Sequence, residues 1–93
     1  MEIKLRFTKH ALEKSFQRNI SPLDCEEIYR TGEIIEIYPD DLPFPSELRL
    51  AKIRNRYLHL VTATQDIHVH VITAYEPDPD RWDASFKKRR KSL

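Results

Sequence analysis

Hydrophobic and polar positions follow one another in patterns that change along the chain. Residues 2–7 alternate charged and apolar side chains, which predicts a short β-strand. Thr8 can cap a helix, and apolar positions at helical spacing predict that helix over residues 9–18. Asn19 is expected to end it in the left-handed conformation.

A second helix is predicted to begin directly after the first. Ser21 is a favourable cap, and Pro22 suits the first helical position. Gly32, the only glycine, is expected to end this helix with left-handed backbone. The residues expected to face inward are Leu23, Cys25 and Ile28.

The rest of the chain predicts strands. A strand at 33–38 is followed by a loop with three prolines, since proline fits neither helix nor sheet interior. Two-residue turns at Asn55-Arg56 and Gln65-Asp66 would separate three further strands, at 47–54, 57–64 and 67–75. We therefore expect one α+β domain over residues 1–93, with two helices packed on one face of a four-stranded antiparallel sheet.

The charge is balanced in total but uneven along the chain. Sixteen Lys or Arg face 15 Asp or Glu, a net charge of +1 over 93 residues. Residues 49–57 carry four basic groups and no acid, and the tail at 87–93 carries five. Local charge of this kind matters more for partner binding than the total. The tail suits phosphates or an acidic partner, although a frayed terminus explains it equally well.

Composition excludes several classes of protein. The lone Cys25 rules out a disulfide framework and a multi-cysteine zinc site. No apolar run approaches the roughly 20 residues of a membrane helix. A single glycine excludes a phosphate-binding P-loop. The alternating N-terminus is unlike a signal peptide, so we expect a cytoplasmic protein.

The predicted hairpins bring basic and histidine side chains to one face. With two-residue turns, Lys52 would lie opposite His59, and His70 diagonal to it. The core face would carry Ala51, Ile53, Leu58, Leu60, Ile67, Val69, Val71 and Tyr75. The open face would carry Lys52, Arg54, Tyr57, His59, Val61, His68, His70 and Ile72.

Three interpretations of that open face stay open. Three histidines can bind zinc, but Lys52 opposite His59 would repel a dication. Lys52 and Arg54 suit phosphates, Tyr57 can stack on a base, and His59 can move a proton near neutral pH. The simplest alternative is a charged face exposed to solvent.

Other candidates lie outside these strands. His10 and Arg18 fall near one face of the first helix, about two turns apart. Glu76 follows Tyr75 at the end of the last strand, where a carboxylate can act as a general base. Trp82 and Phe86, four residues apart, predict a short docked helix.

Several short segments along the chain form a joint pattern: residues 7–14, 18, 20–24, 32–36, 38–41, 58–59 and 75–79. Through them the chain resembles the domain-of-unknown-function 4258 family of small prokaryotic proteins. One departure is Lys14, where the family pattern has arginine.

The resemblance implies a fold like that of the RelE and barnase ribonucleases, and a toxin-like role beside a small antitoxin. Carried across residue by residue, it implies a site that includes His10, Arg18, His59 and Tyr75. His59 is the one residue that both the hairpins and the family pattern indicate.

We therefore predict a metal-independent endoribonuclease of toxin–antitoxin type, with no cofactor and with RNA and a cognate antitoxin as partners. A non-catalytic module that binds nucleic acid or protein is the alternative. The predicted catalytic residues are His10, Lys52, His59 and Tyr75. The predicted RNA-binding residues are Arg18, Arg54, Tyr57, His70 and Glu76.

Overall fold

A computed structural model of the protein describes residues 4–91; the start of the predicted first strand and the last two tail residues lie outside them. The fold is α+β, as predicted. Among the described residues, no helix is long and apolar enough to cross a membrane. The elements are β1 (Leu5–Phe7), α1 (Lys9–Gln17), α2 (Pro22–Thr31), β2 (Glu33–Tyr38), β3 (Ser46–Ile53), β4 (Arg56–Gln65) and β5 (His68–Tyr75).

The sheet has five strands in the order β1-β5-β4-β3-β2. β1 runs parallel to β5, with Leu5 opposite Val69, and the other pairs are antiparallel. The prediction of four antiparallel strands was therefore wrong. β1 joins the sheet because its alternate side chains, Leu5 and Phe7, pack against the main core.

Both helices begin as predicted. The Thr8 side chain accepts a hydrogen bond from the Ala11 amide at 3.0 Å. Ser21 and Asp24 form a reciprocal capping box, in which each side chain accepts from the other's backbone amide. Asn19 has a φ of 59°, which confirms the left-handed end of the first helical segment.

Gly32 ends α2 for a different reason from the predicted one. Its φ is −73°, so the expected left-handed conformation is wrong. A Cβ atom at this position would lie 2.5 Å from the Ile28 carbonyl oxygen. Glycine is therefore required by the close approach of backbone to backbone.

The main core lies between the helices and one face of the sheet, which we call the helix face. Cys25 and Ile28 are buried in it, as predicted, whereas Leu23 is 74% exposed and was wrongly assigned inward. The buried members of this cluster are Ile20, Cys25, Ile28, Ile53, Leu58, Leu60, Val71 and Ala74.

The β3–β4 hairpin turns one residue earlier than predicted. Its turn is Arg54-Asn55, with φ of 47° and 69°. The register therefore moves by two residues, which leaves Lys52, Tyr57 and His59 on their predicted face but changes their partners. Arg54, predicted in the strand, lies in the turn instead. Lys52 lies opposite Tyr57, and Leu50 lies opposite His59.

A bulge between β4 and β5 changes the face of the last residues. The pairing shifts between Val61 and Thr62, which leaves Ile72 as the extra residue in β5. Tyr75 therefore lies opposite His59, on the face away from the helices, and its predicted core position was wrong. Ile67, also predicted in the core, lies in the turn and is 86% exposed.

The second face of the sheet is covered around His59, while Lys52 and Tyr57 on the same face stay exposed. Residues 77–91, which we call the C-terminal segment, fold back so that Trp82 packs on His59 and is itself only 3% exposed. The segment consists of turns with one isolated bridge, between Trp82 and Arg89, so the predicted short helix was wrong.

The capping residue Asp24 gives a test of the fold. Hydrogen bonds from Arg54 hold the pKa of this buried carboxyl below its usual value, although burial opposes them. Its stabilisation is present above pH 3.8 and is lost as the pH falls toward the folded-state pKa. We expect Asp24→Asn to lower the free energy of unfolding at pH 7 by about 1–2 kcal/mol in urea denaturation. The exposed loop variant Asp40→Asn is the matched control, and equal stability of the two variants would contradict this role.

Candidate functional site

His59 is the centre of the second face, and it is fully buried. Its Nε2 atom lies 2.8 Å from the carbonyl oxygen of Phe86, and its Nδ1 atom lies 3.3 Å from the hydroxyl of Tyr75. A carbonyl can only accept, so Nε2 carries the proton and donates it to Phe86. Nδ1 is therefore free to accept a hydrogen bond from the Tyr75 hydroxyl.

The surroundings of His59 keep its ring neutral. The rings of Tyr75 and Trp82 meet it edge-on, with centroids at 5.2 Å and 4.5 Å. Burial lowers the pKa of His59, and the opposing effects of the Phe86 carbonyl and the Glu36 charge do not reverse that direction. The prediction that His59 touches a substrate on an open face was therefore wrong, because the ring is fully buried. Its hydrogen bond to Tyr75 is its link to the cleft.

Tyr75 forms one wall of a cleft of about 280 Å³, which we call the Tyr75 cleft. Burial raises the pKa of the half-buried phenol, so its hydroxyl keeps its proton at neutral pH. Two cations, two carboxylates and the buried Trp82 complete the cleft. Its lining is Tyr75, Glu76, Asp78, Arg81, Trp82 and Arg89.

Arg18 lies at the edge of β5 beside this cleft. β1 pairs only with residues 69–71, so the outer edge of β5 beyond them is free of strand pairing. The Arg18 guanidinium donates to the Ala74 carbonyl at 2.9 Å and to the Thr73 hydroxyl at 3.1 Å. Its charge also acts on Tyr75, where it partly offsets the effect of burial on the pKa.

Arg89 joins the cleft to β2 at the opposite edge of the sheet. Its guanidinium lies 3.2 Å from the Glu36 carboxylate and stacks over the Trp82 ring at 4.6 Å. Tyr38 also donates a hydrogen bond to Glu36. Burial raises the pKa of Glu36, but the bonds from Tyr38 and Arg89 outweigh it and the net shift is downward.

The basic tail is therefore partly neutralised by the body of the protein. Lys87 lies 3.0 Å from Glu33, and Arg89 is paired with Glu36. Both partners lie on β2, so these two cations fasten the C-terminal segment to the edge of the sheet. They are not part of a free polybasic arm.

Glu76 and Arg56 extend the site toward the β3–β4 turn. Arg56 lies 3.3 Å from the Glu76 carboxylate, and it donates to the backbone carbonyls of Arg18 and Asn19 at 3.1 Å and 2.8 Å. This side chain therefore ties the end of α1 to the residue after β5. Glu76 is held beside Tyr75 without being buried.

Some predicted site residues come together and others do not. The cleft region gathers Arg18, His59, Tyr75 and Glu76, and Lys52 lies close to Tyr57 at the neighbouring turn, with its ammonium 5.4 Å from the ring centroid. Arg54 instead forms an ion pair with Asp24 at 2.7 Å, on α2.

Two histidines predicted for the site also lie apart from it. His70 lies opposite Ala63 on β4 and Arg6 on β1, and not diagonal to His59. His10 is exposed in the first turn of α1. Within residues 4–91, no hydrogen bond or ring contact joins His10 to His59.

The sequence interpretation missed Arg81, Trp82 and Arg89, which the C-terminal segment contributes. One signal was present. Leu48 and Leu50 lie on the face of β3 that was expected to be open, and both are buried. Two leucines on this face indicate that another part of the chain packs over it. Trp82 is the largest apolar residue after the last strand, which makes it the natural candidate.

The chain matches the model of one protein family, the Domain of unknown function (DUF4258), over residues 7–76. The matched region includes His59 and ends with Tyr75 and Glu76. No curated protein and no solved structure matched the chain in the same comparisons.

The buried state of His59 predicts a particular pH dependence. The pKa of His59 in the folded protein lies below its unfolded value of 6.5, so the stability contributed by burying the neutral ring is complete above pH 6.5. That contribution is lost as the pH falls toward the folded-state pKa. We expect the free energy of unfolding of the wild type to fall between about pH 7 and 5, and the slope to be shallower in His59→Gln. Urea denaturation at several pH values measures both slopes.

The exposed His10→Gln variant is the matched control and should keep the wild-type slope. His59→Gln should also lose about 1–3 kcal/mol at pH 7.5, because Gln replaces the imidazole in a site built for two hydrogen bonds. Identical slopes in wild type and His59→Gln would show that His59 is not buried neutral.

Proposed function

We propose that this protein, which belongs to the DUF4258 family, is a metal-independent endoribonuclease that cuts RNA in the Tyr75 cleft. The observation that supports this most directly is the hydrogen bond between the Tyr75 hydroxyl and Nδ1 of His59, at 3.3 Å. It gives an accessible hydroxyl a buried proton acceptor. The same cleft is lined by Arg81 and Arg89.

RNA supplies its own nucleophile, so few protein groups are needed. In the proposed reaction the ribose 2′-oxygen attacks the adjacent phosphorus, and the bond from phosphorus to the 5′-oxygen breaks. The 2′-hydroxyl proton passes to the Tyr75 oxygen, whose own proton moves to Nδ1 of His59. The leaving 5′-oxygen takes a proton from water.

Burial disfavours a charged His59 ring, but two contacts support it as a transient proton acceptor. Once protonated, the imidazolium donates from both nitrogens, to Tyr75 and to the Phe86 carbonyl, so both hydrogen bonds are kept. The Glu36 carboxylate favours the cationic form through its charge. Tyr75 is the catalytic residue in this scheme. His59 positions the Tyr75 hydroxyl and accepts its proton.

Arginines provide the charge that a phosphodiester requires. Arg81 lines the cleft and is exposed, and Arg18 lies at the same end of β5. Guanidinium groups stabilise the charge that develops on phosphate oxygens during transfer. Arg89, already paired with Glu36, serves mainly to hold the wall of the cleft.

The wider proposal keeps the expectations that came with the family resemblance. We infer a RelE- or barnase-like ribonuclease fold, supported by two helices that precede an antiparallel meander. We also infer a toxin role in the cytoplasm, with a cognate antitoxin as protein partner.

A non-catalytic binding module is the second candidate, and one observation favours it. β2 lies at the edge of the sheet, and a bulge at Ile35 places Ile34 and Ile37 on the same face. These side chains are 42% and 61% exposed, which suits contact with a protein partner. Binding of RNA without cleavage would favour this candidate.

Cleavage of a single-stranded RNA by the purified protein in chelator tests the proposal. We expect Tyr75→Phe to lower the cleavage rate by about a hundredfold or more, because the general base is lost. Arg81→Ala should lower it by at least about tenfold, because a phosphate-stabilising charge is lost. Product analysis should show 2′,3′-cyclic phosphate ends.

Matched variants separate chemistry from folding. Tyr29→Phe removes a hydroxyl on α2, outside the cleft, and Arg30→Ala removes an exposed arginine on the same helix; both should cleave like wild type. If wild type leaves RNA intact, or if Tyr75→Phe cleaves as fast as wild type, the proposed function is wrong.

A further inference from the structure

A second hollow, of about 300 Å³, opens beside the Tyr75 cleft. It lies between the β3–β4 turn, the residues that follow β5, and the C-terminal segment. Its apolar walls are the rings of Tyr57 and Phe86 with Pro77 and Pro79. Asn55 and Arg56 supply polar groups at the turn.

The aromatic wall is exposed, and its position is set by the hydrogen bonding of the site. The Tyr57 and Phe86 rings lie 5.3 Å apart at 42°, and Tyr57 is 42% exposed. Phe86 has a φ of 60°, a left-handed conformation that is unfavourable for a bulky residue. Its carbonyl accepts from His59 at 2.8 Å, so the buried imidazole helps to hold this strained residue and its ring in place.

Cations flank the aromatic wall. The Lys52 ammonium lies 5.4 Å from the centre of the Tyr57 ring and is exposed. Arg56 lines the hollow itself. The charge of Arg56 is already paired with Glu76, so Lys52 is the cation available to a ligand. An exposed aromatic ring with a lysine beside it is a combination that binds single-stranded nucleic acid, with the base stacked and the backbone neutralised.

The hollow and the Tyr75 cleft lie on either side of one shared residue. Glu76 lines both of them, and the carboxylate is held there by Arg56 at 3.3 Å. A chain of nucleotides that places a phosphate in the cleft would therefore bring a neighbouring base to Tyr57. A purely apolar ligand would leave the exposed Lys52 ammonium without a role.

We propose that the hollow formed by Tyr57 and Phe86 is a nucleobase subsite, which stacks a base next to the phosphate held in the Tyr75 cleft. This inference rests on the proposed function, since it assigns the substrate's base to a place beside the reacting phosphate. Stacking on one aromatic side chain strengthens binding by roughly ten- to a hundredfold.

Equilibrium binding of two short oligonucleotides tests the subsite. One is single-stranded 2′-O-methyl RNA, which cannot be cut because its nucleophile is blocked, and the other is an abasic phosphodiester chain of the same length. We expect wild type to bind the RNA at least about tenfold more tightly than the abasic chain. Tyr57→Ala should remove that difference, while Tyr57→Phe should keep it.

The outcomes distinguish the two proposals. Equal binding of both oligonucleotides by wild type, or an unchanged preference in Tyr57→Ala, overturns the nucleobase subsite and leaves the Tyr75 cleft as the RNA site. Binding of neither oligonucleotide overturns the proposed function and the subsite with it. A cooperative urea transition of Tyr57→Ala, with a midpoint well above the binding conditions, shows that the variant is folded and excludes unfolding as the cause.

Discussion

The two hydrogen bonds of the buried His59 ring are the constraint on which the second face of this protein depends. A sealed imidazole needs a partner for each nitrogen, because an unsatisfied polar group in the interior is costly. Phe86 accepts from one nitrogen and Tyr75 donates to the other. The ring therefore joins the last strand to the C-terminal segment, and it places the Tyr75 hydroxyl and the Phe86 backbone at the same time.

Much of the fold follows from local patterns in the sequence. Helix starts were predictable from Thr8 and Ser21, because capping depends on side chains only three residues away. The faces of β3 and β4 were predictable even though the turn was misplaced, since a register shift of two residues preserves the alternation of side chains. For that reason Lys52, Tyr57 and His59 were correctly placed on one face.

The arrangement of the site depends on features that local patterns do not encode. The bulge at Ile72 reverses the face of Tyr75, and its position depends on packing between strands, not on the residues beside it. The cover over His59 is a long-range contact from Trp82 and the segment around it. A run of basic residues looks the same in sequence whether it is solvated or, as at Arg89, paired with an acid 53 positions away.

The ionisation and tautomer of His59 test this account most directly, and nitrogen NMR of the imidazole side chains measures both. We predict that Nε2 of His59 carries a slowly exchanging proton, that Nδ1 has the signal of an unprotonated nitrogen, and that neither changes between about pH 7.5 and 6.5. A His59 ring that gains a proton between those pH values, or whose Nε2 proton exchanges rapidly, would contradict the buried imidazole and the site built around it.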